Sequence, residues 1–299
     1  MRIGFVGLGL MGLPMARHLI TAEHRLFIAS GSPAPLQELA ALGAIVCGSP
    51  REIAPLVEVF FSCRMTPEHS RATFLGADGV LASTARGLVC VDLATTDPET
   101  ASDIAARLTE HDIGFLDAPI SGGPDGAEAK TLTIIVGGAP EHVARAKPLF
   151  DLLGKKTFHM GPVGCGVATK LCNNMITITT HAVLAEAMVL GVKAGIDAGM
   201  LYEALRASSA YSRSLERVVP NHFLNRNFNA ASNVKTVMKD LDCALLTARR
   251  LGVRLLLPAV ALQCYVDAAG RGHADDDIAA VILPMEEIAG VQVGVARDR

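Results

Sequence analysis

Tryptophan is absent from the chain and tyrosine occurs only three times, so a surface that stacks sugars or bases on exposed rings is not expected. Basic runs are missing as well: Lys and Arg total 27 against 30 Asp and Glu, a formal net charge of −3. That balance argues against nucleic acid or an anionic membrane as a partner. The seven cysteines, at 47, 63, 90, 165, 172, 243 and 264, contain no CxxC pair. An odd, dispersed set in apolar surroundings reads as reduced core thiols of a cytoplasmic protein. The nine histidines show no HExxH or paired spacing. His273-Ala274-Asp275-Asp276-Asp277 reads better as acidic residues opening a helix than as metal ligands, so no metal site is expected. The first strand begins at Arg2, which leaves no room for a signal peptide. Lys170, Glu186 or Lys193 interrupts each long apolar segment, so no membrane span is expected.

What is present is apolar mass. Half of the 299 residues are hydrophobic, enough for two domains with a substantial core. Arg2-Ile3-Gly4-Phe5-Val6 is a short apolar strand, followed at once by Gly7-Leu8-Gly9-Leu10-Met11-Gly12 and a helix pattern from Met11 to Ala22. Strand, GxGxxG and helix in that order predict a dinucleotide-binding turn. Gly7 permits the tight turn, Gly9 lets the backbone approach a diphosphate, and Gly12 lets the helix pack on the strand. The helix N-terminus then offers N–H groups to the phosphates.

The second strand, Arg25 to Ala29, ends in Ser30-Gly31-Ser32. An acidic residue there would take the adenosine ribose hydroxyls, and an arginine a 2′-phosphate. This chain supplies neither. The missing carboxylate removes repulsion toward a phosphate and two hydroxyls could bind one, so the cofactor is NADP or NAD, with the balance toward NADP.

Alternation continues with helix 35–42, strand 57–62, helix 67–75, strand 88–92, helix 98–110, strands 113–117 and 131–136, helix 140–152 and a short strand near 157–159. Near-continuous apolar strands separated by helices predict an α/β, Rossmann-type doubly wound parallel sheet. Two loops stand out. In Asp92-Leu93-Ala94-Thr95-Thr96-Asp97-Pro98, either Thr96 or Asp97 caps the next helix, or the loop lines the cofactor crevice. In Asp117-Ala118-Pro119-Ile120-Ser121-Gly122-Gly123-Pro124, a serine and two glycines make either an ordinary turn or a nest for a carboxylate.

From Gly164 the strand pattern stops. A long helix to about Ala194, capped by Gly195, is followed by helices 197–207, 212–219, 234–251, 258–268 and 275–283. Two domains are therefore expected, a dinucleotide-binding 1–162 and an all-helical 163–299 for substrate and dimerisation, joined through the long helix. Its apolar stripe, including Leu171, Met175, Ile178, Val183 and Met188, reads as core and as packing against a second subunit. Lys170, Asn173 and Asn174 stand at i, i+3 and i+4 of that helix, an amine beside two amides. Taken alone they could be a surface lysine and two neutral amides. Lys239-Asp240 on a later helix reads in isolation as a solvated charge pair.

Taken together, the motifs resemble the β-hydroxyacid dehydrogenase family, whose known members include 3-hydroxyisobutyrate dehydrogenases and tartronate semialdehyde reductases. Gly7 to Ala16 resembles the family's cofactor signature, Asp117 to Gly123 its substrate motif, Gly161 to Asn174 its catalytic motif, and Lys239-Asp240-Leu241 its late lysine motif. The resemblance implies that Lys170 is the general acid/base, that Ser121, Gly122 and Gly123 bind the substrate carboxylate, and that Asn174 and Lys239 hold the substrate. It implies cofactor contacts from Gly7, Leu8, Gly9, Leu10, Met11, Gly12, Ser30, Met65, Thr95 and Lys239. It also implies a C-terminal domain like that of 6-phosphogluconate dehydrogenase, and a homodimer or homotetramer.

Residue types agree with that chemistry: oxidising an alcohol needs a base for the hydroxyl proton while hydride leaves carbon. Ser232 stands where many members carry a phenylalanine before the late lysine, Ala230-Ala231-Ser232-Asn233 is small and polar there, and Ser208 to Ser212 is polar too. Both suggest a pocket of altered shape, for a small carboxylate bearing further polar groups. An imine reductase on the same fold is the alternative enzyme, argued against by the intact Lys170 and Asn174. A non-catalytic dinucleotide-binding module is the alternative outside enzymes.

Overall fold

The computed structural model describes residues 1–21, 23–229 and 232–294. It divides into two compact units, Met1–Leu171 and Cys172–Arg299. In the first, β1 (Arg2–Val6), β2 (Arg25–Ala29), β3 (Ile45–Val46), β4 (Val59–Ser62), β5 (Val89–Asp92) and β6 (Gly114–Asp117) pair in parallel in the order β3-β2-β1-β4-β5-β6. All but the edge strand β3 are buried on both faces, as parallel strands under helices must be. Ile3, Phe5, Leu26, Ile28, Val59, Phe61, Val89 and Val91 fill one core. Their alternates Val6, Phe27, Phe60, Cys90 and Phe115 fill the other.

The helices α1 (Gly12–Leu19), α2 (Pro33–Ala41), α3 (Pro50–Ile53), α4 (Pro67–Leu75), α5 (Pro98–Thr109), α6 (Gly123–Glu128) and α7 (Pro140–Leu153) connect these strands. Five of them open on proline, which lacks the N–H that a first turn leaves unpaired anyway. Side chains cap three: Ser49 accepts from Glu52 N–H, Thr66 from His69 N–H, and Asp97 from Glu99 and Thr100 N–H. Asp97, not Thr96, is therefore the cap of α5.

The structure departs from sequence expectation at several places. Helix α1 ends at Leu19, where Ile20 turns extended and a Thr21–His24 bridge follows; Ala22 lies outside the described residues. β3 and α3, too short to carry a period, were not anticipated. The last strands are not all parallel. β7 (Ile120–Ser121) and β6 both pair antiparallel with β8 (Leu132–Gly137), and β9 (Gly154–Gly161) pairs parallel with β8. β9 spans eight residues, not three, because its mostly polar, exposed sequence hides it from a search for apolar runs.

Helix α8 (Cys165–Lys193) begins in the first unit and continues into the second. It stops at Gly195 (φ +90°), whose N–H reaches Val192 O at 3.0 Å while Ile196 N–H reaches Gly191 O at 3.0 Å. This is a left-handed glycine stop. By length and composition the helix could cross a membrane, its best window having a mean hydropathy of 1.6; the charges at Lys170, Glu186 and Lys193 are too far apart to break it. Ile178, Ala182, Ala185 and Met188 instead lie in the core of the second unit. Val183, expected in that core, is 56% exposed, with Ile176 and Leu190 seven residues either side at 63% and 71%.

The rest of the second unit is α9 (Ala198–Arg206), α10 (Arg213–Val218), α11 (Val234–Arg250), α12 (Leu257–Ala268) and α13 (Ile282–Ala289). Asp197, Ser212 and Asn233 cap the first three. The helix expected from Asp275 starts later: Asp277 accepts from Ala279 N–H, opening a 3₁₀ turn, Ile278–Val281, before α13. His273 pairs with Asp276 at 2.7 Å. Ser232 carries an N–H bond to Asp277, whereas Ala230 and Ala231 lie outside the described residues. Only Cys90 and Cys243 are buried among the seven free cysteines; Cys172 is exposed, which corrects the reading of them all as core thiols.

Tyr265 is the largest fully buried side chain, and its hydroxyl donates to Ile178 O at 2.9 Å, tying α12 to α8. Replacing it by phenylalanine removes one buried hydrogen bond with almost no change in volume. Tyr265→Phe is expected to lower unfolding stability by about 1 kcal/mol, read from urea midpoints at unchanged m.

Candidate active site

The turn after β1 is built to leave backbone bare. Gly7 has φ +87°, and a Cβ on it would collide with Cys63 O; a Cβ on Gly12 would collide with Gly7 O. A Cβ on Gly9 would meet no atom within 4 Å, so the chain here faces open space. Helix α1 has no side-chain cap, unlike α3, α4 and α5. Within its first turn Leu13 N–H is taken by Gly9 O at 3.0 Å and Pro14 has none, so the donors offered to a ligand are those of the glycine turn at the helix mouth, where anions are favoured. These residues fit a dinucleotide's diphosphate.

Around the turn, Leu8 is buried, Leu10 is exposed and Met11 is half-buried. Ser30, at the end of β2, is half-buried, and its Oγ accepts from Ser32 N–H at 3.1 Å. Met65 follows β4 and is 57% exposed, while Thr95 follows β5 and is half-buried. All of these lie at the carboxyl ends of parallel strands, where open α/β sheets bind ligands.

Beyond β6, Ser121 ends the two-residue strand β7, and Gly122 (φ +141°) and Gly123 (φ +67°) turn the chain into α6. A Cβ on Gly123 would meet nothing within 4 Å. Bare N–H groups next to a hydroxyl suit a carboxylate.

The start of α8 is held by Asp117, the last residue of β6. Its carboxylate accepts from Gly164 N–H at 2.9 Å and Val167 N–H at 2.8 Å. Lys170 follows within a turn and is 8% exposed. Asp117 and the neighbouring Asp92 are both buried, and burial pushes each carboxyl up to about 6, more than their backbone hydrogen bonds hold it down.

In the second unit, Asn174 Nδ2 donates to Asp240 Oδ2 at 2.6 Å, and Asn173 Nδ2 donates to Asn174 Oδ1 at 3.0 Å. Lys239 Nζ lies 2.6 Å from Asp240 Oδ1. Lys239-Asp240 is not the solvated pair that the sequence suggested in isolation: Asp240 is 6% exposed. The signal was available. On α11, Asp240 falls within the stripe of Val237, Leu241, Ala244 and Ala248, all buried, so its carboxylate had to be desolvated and paired.

Ser212, in the polar segment 208–212, uses its hydroxyl to cap α10, and Ser208 to Tyr211 are exposed.

Comparison with known proteins decides the family. The profile described as the NAD binding domain of 6-phosphogluconate dehydrogenase matches residues 2–161. That described as NAD-binding of NADP-dependent 3-hydroxyisobutyrate dehydrogenase matches residues 164–285. A 3-hydroxyisobutyrate dehydrogenase of Pseudomonas aeruginosa is 36% identical, over 90% of this chain and 94% of that protein. The chain belongs to the β-hydroxyacid dehydrogenase family. A 2-(hydroxymethyl)glutarate dehydrogenase of Eubacterium barkeri is 32% identical over 98% of this chain and 97% of its own length. The crystal structure of a 3-hydroxyisobutyrate dehydrogenase from Salmonella typhimurium superposes with a TM-score of 0.85 at 28% identity, covering 95% of this chain and 99% of that one. As a β-hydroxyacid dehydrogenase, the protein is an NAD(P)-dependent oxidoreductase with a Rossmann-type N-terminal fold and a helical C-terminal one.

The raised carboxyls give this β-hydroxyacid dehydrogenase a definite pH signature. Unfolded aspartates titrate near pH ~3.9, so between about 4 and 6 the folded chain binds more protons at Asp92 and Asp117, and rising pH through that window costs stability. Asp92→Asn removes one such charge. Its stability relative to wild type is expected to improve from pH 4 to pH 7, measured by denaturant titration; a flat or declining difference contradicts the assignment.

Proposed function

We propose that the protein interconverts a small 3-hydroxy acid and its semialdehyde, with Lys170 as the general acid/base. The observation that carries this is the lysine itself: a buried amine one turn into a helix whose start is fixed by Asp117. A solvated amine could move freely; this one is confined by the fold to one neighbourhood. In the oxidative direction its amine takes the proton of the substrate hydroxyl, and in reduction its ammonium returns a proton to the carbonyl oxygen. Nicotinamide, when bound, accepts or supplies the hydride. Ser121, Gly122 and Gly123 hold the substrate carboxylate, and Gly7 to Gly12, Ser30, Met65 and Thr95 hold the cofactor. Asn174 and Lys239, both tied to Asp240, supply further polar contacts to substrate and, for Lys239, to the nicotinamide end.

The cofactor in this reading is NADP or NAD, with the balance toward NADP because β2 ends without a carboxylate at Ser30-Gly31-Ser32. Residues 1–162 are the cofactor domain and 163–299 the substrate and assembly domain. Free cysteines support a reducing, cytoplasmic setting.

The central test follows reduced-nicotinamide absorbance across 3-hydroxy acids, with NAD and NADP in parallel. Lys170→Ala is expected to lower kcat by about 10²–10⁴-fold while cofactor affinity stays within about twofold of wild type. Activity surviving in the variant would remove Lys170 from the mechanism.

The helical unit leaves Ile176, Val183 and Leu190 exposed on α8, and Leu257 and Val260 exposed at 73% and 66% on α12. Apolar surface of that extent favours a second copy as its cover, giving a homodimer or homotetramer. Light scattering of wild type is expected to give at least twice the chain mass, and Leu257→Glu with Val260→Glu to shift it toward monomer.

A further inference from the structure

A dinucleotide brings two diphosphate charges to the turn after β1, and glycine backbone alone supplies only partial charges to meet them. The loops leaving β1 to β6 at the carboxyl edge of the sheet contain a single basic residue, Arg64. It stands two residues beyond β4, the strand beside β1 on the side away from β2. Its stem runs against the turn, with Cδ 3.3 Å from where a Cβ on Gly7 would stand. The residue is exposed, and no hydrogen bond or ion pair with a described residue engages its guanidinium. Several arginines elsewhere in this unit are engaged, Arg17 with Glu38 and Glu128, Arg71 with Asp103 and Arg145 with Gly87 O, and none of the others lies in these loops.

We infer that Arg64 clamps the cofactor's diphosphate, supplying the charge that the glycine turn lacks. The inference rests on the dinucleotide lying along that turn. Position decides which phosphate. A 2′-phosphate belongs at the end of β2, whereas Arg64 reaches over Gly7 from the opposite neighbour of β1, where the diphosphate lies. The contact therefore serves NAD and NADP alike and leaves the choice between them to Ser30-Gly31-Ser32. A planar, always charged fork suits a diphosphate oxygen pair better than an ammonium would.

The experiment is direct titration of wild type, Arg64→Gln and Arg64→Lys with NADH, NADPH, ADP and adenosine, by nicotinamide fluorescence or calorimetry. Arg64→Gln is expected to weaken NADH, NADPH and ADP by about tenfold each, with a shallower salt dependence, and to leave adenosine unchanged. Arg64→Lys should recover part of the loss. The side chain is exposed, so melting temperature should stay at the wild-type value. A loss confined to NADPH would assign Arg64 to the 2′-phosphate, a loss for adenosine would assign it to the base, and no loss would return it to solvent; each overturns the inference. If wild type itself binds no dinucleotide, the reading of the turn fails instead.

Discussion

One carboxylate fixes where Lys170 can stand. Asp117 ends β6 and takes two backbone N–H groups from the start of α8. Charge-assisted bonds of this kind contribute about 1.5–3 kcal/mol each, yet its carboxyl is still pushed up to about 6. Burial thus outweighs the hydrogen bonds, and the fold tolerates a costly group because the helix start needs an acceptor. Lys170 inherits its position from that bond. An amine on a frayed first turn would sample many places; on a turn pinned to the sheet it samples one.

The helix starts of the first unit divide into three kinds. Those of α3, α4 and α5 are closed by their own Ser49, Thr66 and Asp97. The starts of α1, α2, α6 and α7 carry no side-chain cap, and that of α8 is closed by a strand residue 47 positions earlier. Closure by a local side chain makes a helix stable by itself. Capping α8 from the sheet instead ties its register to the strands.

How much of this was legible before the structure depended on whether a residue declared its environment. The glycine turn did, because a strand of Ile3 and Phe5 precedes it and a helix with Met15 and Leu19 follows. The late helices did, through Asp197, Ser212 and Asn233, each a polar cap before an apolar period. The antiparallel turn of β8 did not, since the direction of a buried strand leaves no trace in its own composition. β9 was hidden by exposed lysines on an edge that hydrogen bonds hold without apolar burial. Val183 looked like core because a helical stripe predicts which face is apolar, not what covers it. Asp117 was visible as a letter, but a buried acceptor is identified by its donors, and those come from Gly164 and Val167, distant in sequence.

The pairing of Asn174 with Asp240 carries a consequence for what residue 174 can be. A carboxylate has no hydrogen to give, so the partner at 2.6 Å must be the amide nitrogen, and the amide oxygen is turned to accept from Asn173. The side chain is thereby held in one of its two possible senses, with donor and acceptor ends told apart by a neighbour that never touches the main chain. Aspartate has the same shape as asparagine and would set oxygen against oxygen there, two negative charges in a buried setting. Near-identity of shape is therefore no guide to substitution at this position: while Asp240 stays, residue 174 of this chain must be able to donate.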